Sequence, residues 1–470
     1  MKKILFVLSF AALSLPAFAA DIYVDIASTG TPDGLARETA YTSIQAAIDV
    51  AVTGDVIKVY PGTYNETAPN KTVDGASYQF GLFFGVDGVT VQGQGSGVIV
   101  QTNATNNFGP SGVFVAANDI TLDNLEFSTN ASGLNKTIEV IGDNFTFTNS
   151  KLTDPSGGVI YISDFTPMSK VNKYTITNNV FESGANITLA SGAGSSTDFG
   201  VETRQITNNL FKGTNNVYAR ISFSGAGGVP WYVYPVGGAV ITGNTFEGDN
   251  KWAIRARGEY DNSQFAWQSF WNDNTFSTSA TVALSDVNSF ALREYSYSSY
   301  SNARGIGSDL GWTVANASSS DTVLVKGTTT VTTAIPVNKP LTIKGVNGGV
   351  TTSGGNNVFA ITSSDVSVEN LTIAKSDKAS QQLIALLSGN NVSIKNNTIR
   401  GQFVIGEGDV SRGMVVSSGL TGLTIDGNTI FGLRQPAYVS GTTTGTVSNN
   451  YVYGTSSVGT KGWRKLKKLD

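Results

Sequence analysis

The sequence predicts an all-β chain wound as a right-handed parallel β-helix, in two consecutive modules with a short N-terminal capping helix. Three observations point there. The first is composition: 470 residues with 53 Gly and only 14% charged residues favour turns and strands over helices. The second is a corner pattern, a large apolar residue and a spacer followed by Asn, Asp or Gly and usually a second Asn, which recurs twelve times. The third is an opening in which one amphipathic helix gives way to a strand.

In chain order, Lys2 and Lys3, the apolar run 4–15 and Ala17-Phe18-Ala19-Ala20 have the build of a secretory signal, with cleavage after Ala19 or Ala20. The run is too short for a bilayer, so residues 1–20 are expected to be removed. The mature chain would be secreted to the periplasm, cell surface or medium, with no transmembrane span. Next, Ser43 precedes Ile44, Ala47, Ile48 and Ala51 on one helical face, and Gly54-Asp55 ends the run before Val56-Ile57-Lys58-Val59-Tyr60. Terminal repeats must close an open apolar end, and this helix suits that role.

The coils follow. Ile176-Thr177-Asn178-Asn179, Ile206-Thr207-Asn208-Asn209, Ile241-Thr242-Gly243-Asn244 and Trp271-Asn272-Asp273-Asn274 are copies from the first half. Val368-Glu369-Asn370, Ile394-Lys395-Asn396-Asn397, Ile425-Asp426-Gly427-Asn428 and Val447-Ser448-Asn449-Asn450 come from the second. Copies lie 22 to 35 residues apart, as a coil with outward loop insertions requires. Asn tolerates the left-handed corner, and stacked amides can bond along the array. A propeller or a sandwich array would lack this register. Asp321 to Thr329 and Val337 to Gly345 read as a second opening, with residues 312–320 as a shortened cap. The expected division is therefore 21–308 and 309–460, with 461–470 a basic tail carrying Arg464, Lys465, Lys467 and Lys468.

Counting excludes much chemistry. With no His and no Cys, the Ser-His-Asp and Cys-His mechanisms, disulfides and His- or thiolate-held metals are all absent. Catalysis would have to use Arg, Lys, Asp, Glu, Tyr, Ser or an oxygen-ligated cation. Removal of Lys2 and Lys3 leaves 29 basic against 35 acidic residues, so no broad basic face invites nucleic acid.

Ile22-Tyr23-Val24-Asp25, Thr42-Ser43-Ile44-Gln45-Ala46-Ala47-Ile48 and Gly54-Asp55-Val56-Ile57-Lys58-Val59-Tyr60-Pro61-Gly62-Thr63-Tyr64-Asn65-Glu66 resemble the opening of secreted pectin-lyase-like parallel β-helix proteins. The coils resemble that superfamily too. The resemblance implies carbohydrate-active possibilities. Its polygalacturonase-like members carry paired aspartates and a histidine, whereas this chain has no Asp-Asp and no His. Arg434-Gln435-Pro436 matches half of the pectate lyase Arg-x-Pro-x-x-Arg motif, but Val439 stands at the second arginine. Arg434 is thus a candidate base for a cation-acidified sugar proton, or an Arg that bonds nearby turn carbonyls.

The densest constellation is 249–271. With Ile254 and Ala256 pointing inward, Lys251, Arg255 and Arg257 are expected to project from the outer face. Trp252, Trp267 and Trp271 supply indole faces, and Tyr295 and Tyr297 extend the set. Guanidinium clamps carboxylate, so this is a candidate acidic-glycan site, with Arg255, Arg257, Glu259 and Asp261 as candidate catalytic groups. Glu259 and Asp261 are also candidates for Ca²⁺. Against this stands folded-back aromatic packing with surface ion pairs. The favoured reading is non-catalytic recognition of extracellular polysaccharide or a surface partner. A Ca-assisted lyase or a glycoside hydrolase follows, and then self-assembly through coil ends.

Overall fold

The computed structural model describes residues 19–67, 70–73, 76–102, 111–129, 136–153, 158–163, 171–191, 204–213, 219–225, 239–247, 253–257, 267–276, 278–283, 295–297, 300–306, 310–317, 319–378, 382–404 and 411–454. Its architecture is a parallel β-helix. In the first half, strands stack coil on coil into three sheets. The first sheet runs from Asp21–Val24 through Val56–Val59, Phe145–Thr148 and Tyr174–Thr177 to Val240–Thr242, with parallel pairing throughout. The second runs from Gly62–Glu66 to Thr275–Phe276. The third runs from Leu82–Phe84 through Lys136–Val140, Val159–Ser163, Asn186–Ser191 and Ile221–Gly225 to Ile254–Arg257. There Tyr300–Ile306 and Tyr295–Tyr297 continue it antiparallel.

Alternation decides which face is buried. Phe145 and Phe147 point inward, while Thr146 and Thr148 are partly exposed, because successive side chains of a strand leave on opposite sides. At the corner the backbone turns left-handed, with φ of 60° at Asn178, 56° at Asn208 and 68° at Gly243. The next residue is the buried rung of a ladder. Asn179 donates from both its backbone N and Nδ2 to Asn209 Oδ1 at 3.0 Å. Asn209 does the same to Asn244, and Asn244 to Asn274. A Cβ on Gly243 would come within 2.2 Å of Asn208 Oδ1, so Gly fits this corner for space as well as for φ.

Behind the ladder, the inward residues of the second sheet stack ring on ring. Centroids of Phe181, Phe211, Phe246 and Phe276 follow each other at 4.7, 4.8 and 5.1 Å, the spacing of adjacent strands. The last of these coils departs from the expected pattern. Asn274 keeps its rung, but the residues before it form a helix, Trp267–Asn272, in place of a strand.

In the second half, Leu341–Thr352 pairs with Ser367–Glu369 at one end and with Thr372–Lys375 at the other, so one long strand feeds two columns. A further sheet runs through Ile335–Val337, Phe359–Ile361, Gln382–Leu386, Arg412–Val416 and Gln435–Val439. The ladder resumes as Asn397, Asn428 and Asn450. Among the described residues, buried apolar side chains sort into two large clusters, one chiefly from Ile22 to Phe276 and one chiefly from Leu310 to Val439, and a small third of Phe80, Phe114 and Ile141.

Near the N-terminus the helix Ile44–Val50 buries Ile44, Ala47 and Ile48 in the first cluster, and Ser43 Oγ accepts from Ala46 N at 3.3 Å. Glu66 accepts from Ile44 N at 2.6 Å and from Ser43 Oγ and Gln45 N. Its carboxylate thereby takes up donors that the first turn leaves open. Burial pushes the Glu66 carboxyl above its ordinary value, against the pull of those hydrogen bonds.

Candidate functional site

The coil lengthens chiefly at the two ends of the third sheet's strands. Between first and second sheets the corner is two residues, as at Asn178-Asn179. By contrast, residues 192–203 separate Asn186–Ser191 from Arg204–Thr207, and residues 226–239 separate Ile221–Gly225 from Val240–Thr242. Insertions are where such scaffolds place recognition, so the outer face of the third sheet is the candidate site.

Register defines what that face presents. One outward row reads Phe83, Phe114, Glu139, Tyr161, Thr188, Ser222 and Arg255, each opposite the next. Six steps at ~4.8 Å give a stripe of roughly 29 Å. At its start lies a small separate aromatic cluster, with Phe80 and Phe114 buried and stacked at 4.7 Å, the partly exposed Phe83 6.1 Å from Phe114 and Lys71 Nζ 5.4 Å from the Phe83 centroid. In the middle, Lys136 pairs with Glu139 and lies 4.4 Å from the Tyr161 ring centroid. The cation is thus held over an aromatic face beside its carboxylate.

Toward the later coils the same face becomes an enclosed polar layer. Asn186, Ser222 and Arg255 are outward by register yet 1%, 4% and 1% exposed. This corrects one expectation: Arg255 does leave the coil's outer side, but it is buried rather than projecting into solvent. Ile254 points inward as expected and is fully buried. Trp271 is a second correction. It is 1% exposed, packed in the first core with its ring 6.3 Å from Phe276, so its faces are covered by protein and offer no platform.

The remaining candidates divide by position. Arg257 shares the strand Ile254–Arg257 with Arg255, and Tyr295–Tyr297 joins the same sheet through Tyr300–Ile306. The backbone therefore brings Tyr295 and Tyr297 to the sheet of Arg255, while the side chains of Arg257, Tyr295 and Tyr297 lie outside the described set. Trp267 opens the helix Trp267–Asn272, and its side chain too is outside that set. Lys251, Trp252, Glu259 and Asp261 lie outside the described residues, and with them the Ca²⁺ expectation. Among the described residues no group of three or more carboxylates could hold a metal.

Arg434 belongs to the other half, partly buried at the bend before Gln435–Val439. Val439, at the place of the missing second arginine, is 8% exposed and part of the second core. Lys136, Glu139, Tyr161 and Asn186 were not singled out from sequence. Their signal is register across coils, which single strands do not display.

No helix among the described residues is long and apolar enough to cross a membrane. No protein-family model matches the chain. No curated protein matches it. Among solved structures it is similar to a rhamnogalacturonan lyase, 11% identical over 86% of this chain and 84% of that one, with a TM-score of 0.35. It is also similar to the family 28 exopolygalacturonase of Yersinia enterocolitica, 10% identical over 92% and 78%, with a TM-score of 0.32. A third is the pectate lyase Pel9A, 13% identical over 93% and 80%, with a TM-score of 0.23.

Proposed function

We propose that this is a secreted protein that binds an acidic polysaccharide along the outer face of the third sheet. The observation that supports it is the in-register row Phe83, Phe114, Glu139 and Tyr161, in which Phe83, Glu139 and Tyr161 are partly exposed and Lys136 lies beside the row over the Tyr161 ring. A linear polymer needs contacts repeated along a line, and stacked coils provide one. Rings suit sugar faces, and cations suit uronate carboxylates. Export is supported by the basic and apolar start of the chain.

Geometry also weighs binding against β-elimination. A lyase must neutralise the carboxyl group of the very sugar whose adjacent carbon it deprotonates. Lys136, the cation beside Tyr161, is already paired with Glu139, and Arg255 stands three coils from Tyr161, or about 14 Å, which is too far to share one sugar ring.

Affinity electrophoresis in gels containing pectate, alginate or neutral glucan tests the binding reading. Retardation by an acidic polymer is expected, weakened about tenfold by Tyr161→Ala, the equivalent of ~1.4 kcal/mol, and fading as salt is raised. Equal mobility in acidic and neutral gels would reject it. Ultraviolet absorbance of unsaturated uronate, followed with and without Ca²⁺, tests catalysis, and a flat trace is expected.

A further inference from the structure

Arg220 immediately precedes Ile221, and its side chain is fully buried. Its carbonyl accepts from Ile187 N at 2.8 Å, which sets it beside the coil of Asn186. The guanidinium reaches back to that coil. Nη2 donates to Phe181 O at 3.0 Å and to Lys212 O at 2.6 Å, and the group lies 5.6 Å from the Phe211 ring centroid. Nε and Nη1 have no hydrogen-bond partner. One coil earlier, Asn186 is 1% exposed and its Oδ1 accepts from Thr188 Oγ1, while its Nδ2 has no partner either.

Arg220 and Asn186, set side by side through the Ile187 N to Arg220 O bond, thus each hold open donors, those of Arg220 cationic, that meet no acceptor among the described residues. The Phe211 ring covers a face of the guanidinium and leaves its edge N–H bonds open. A buried unpaired charge is among the least favourable things a fold can carry, and native structures supply a partner for it. Burial pushes the Arg220 guanidinium down to about 10, with no carboxylate near enough to offset the effect, so it is still charged at neutral pH.

We infer that Arg220 and Asn186 form an anion-binding corner, in which a singly charged anion the size of chloride or a carboxylate accepts from Arg220 Nε and Nη1 and from Asn186 Nδ2. The anion's source is either a free ion or the carboxylate of a sugar lying on the third sheet. The corner stands independently of the polysaccharide reading, since a resident halide would satisfy it alone.

The test is the melting temperature of the full-length protein, exchanged into a bulky sulfonate buffer and titrated separately with chloride, formate and glucuronate at constant ionic strength. A saturable rise of about 2 °C or more is expected for wild type, as for any ligand bound by the native state alone. A rise with chloride and formate makes the occupant a free ion. A rise with glucuronate only makes it a sugar carboxylate. Asn186→Asp brings its own carboxylate to Arg220, so it should melt higher from the start and lose the response. Arg220→Met should also be insensitive, and if it fails to fold the Asn186→Asp comparison decides. No saturable rise, or an equal rise in Asn186→Asp, would overturn the inference.

Discussion

Asn209 combines two capacities that no other side chain joins in the same shape. Its Oδ1 accepts from the backbone N and Nδ2 of Asn179, while its Nδ2 donates to Ile176 O and Asn244 Oδ1. Asn209→Ala leaves several buried groups unpaired and is expected to cost about 3 kcal/mol, read as a lower denaturation midpoint at unchanged slope. Glu66 carries a second residue-scale prediction. Its carboxyl is raised by burial, so the fold favours its protonated form. That contribution is complete below the ordinary value near 4.5 and is lost as pH rises through the elevated one. Amide exchange around Ile44–Val50 should therefore show an opening free energy that falls with pH across that window, and Glu66→Gln should abolish the step. Asn corners were legible from sequence because each is local. The Glu66 contact was not, because the chain must first bring it 22 residues back onto the helix start.

Elements show what register adds to sequence. In the second sheet Lys151 lies opposite Glu126 and diagonal to Glu182, with ion pairs of 3.3 and 3.1 Å. In the second half Lys344, Glu369, Lys395 and Asp426 alternate in sign down four successive coils. Surface pairs of this kind contribute little each, but a one-coil slip would set like charges against each other. Lys151→Glu, which sets an acid opposite Glu126 and removes the cation that Glu182 pairs with, should cost about 1 kcal/mol and recover part of it in high salt, as urea titrations at two ionic strengths can show. The strands themselves were legible from alternation. The helix Trp267–Asn272 was overlooked although Trp267, Phe270 and Trp271 stand at helical spacing, because the Asn corner that follows drew the reading toward a strand. The site was only partly legible. Arg255 was found, but Glu139 and Tyr161 join its row only through a chain of pairings across successive coils.

The whole molecule is organised around two large apolar clusters. With the division proposed near residue 309, each should behave as its own cooperative unit. Calorimetry should resolve two transitions, with Asn209→Ala lowering only one and Asn428→Ala only the other. A single transition moved equally by both would reject the division. The amide ladder carries a last consequence. Every rung-to-rung bond points the same way, with donors in the earlier coil and the acceptor in the later one. Each coil therefore offers its successor the same interface that it meets in its predecessor. A coil that keeps its Asn rung carries the bonds needed to join either neighbour, so the array is expected to tolerate gain or loss of whole coils while the outward positions of each coil vary.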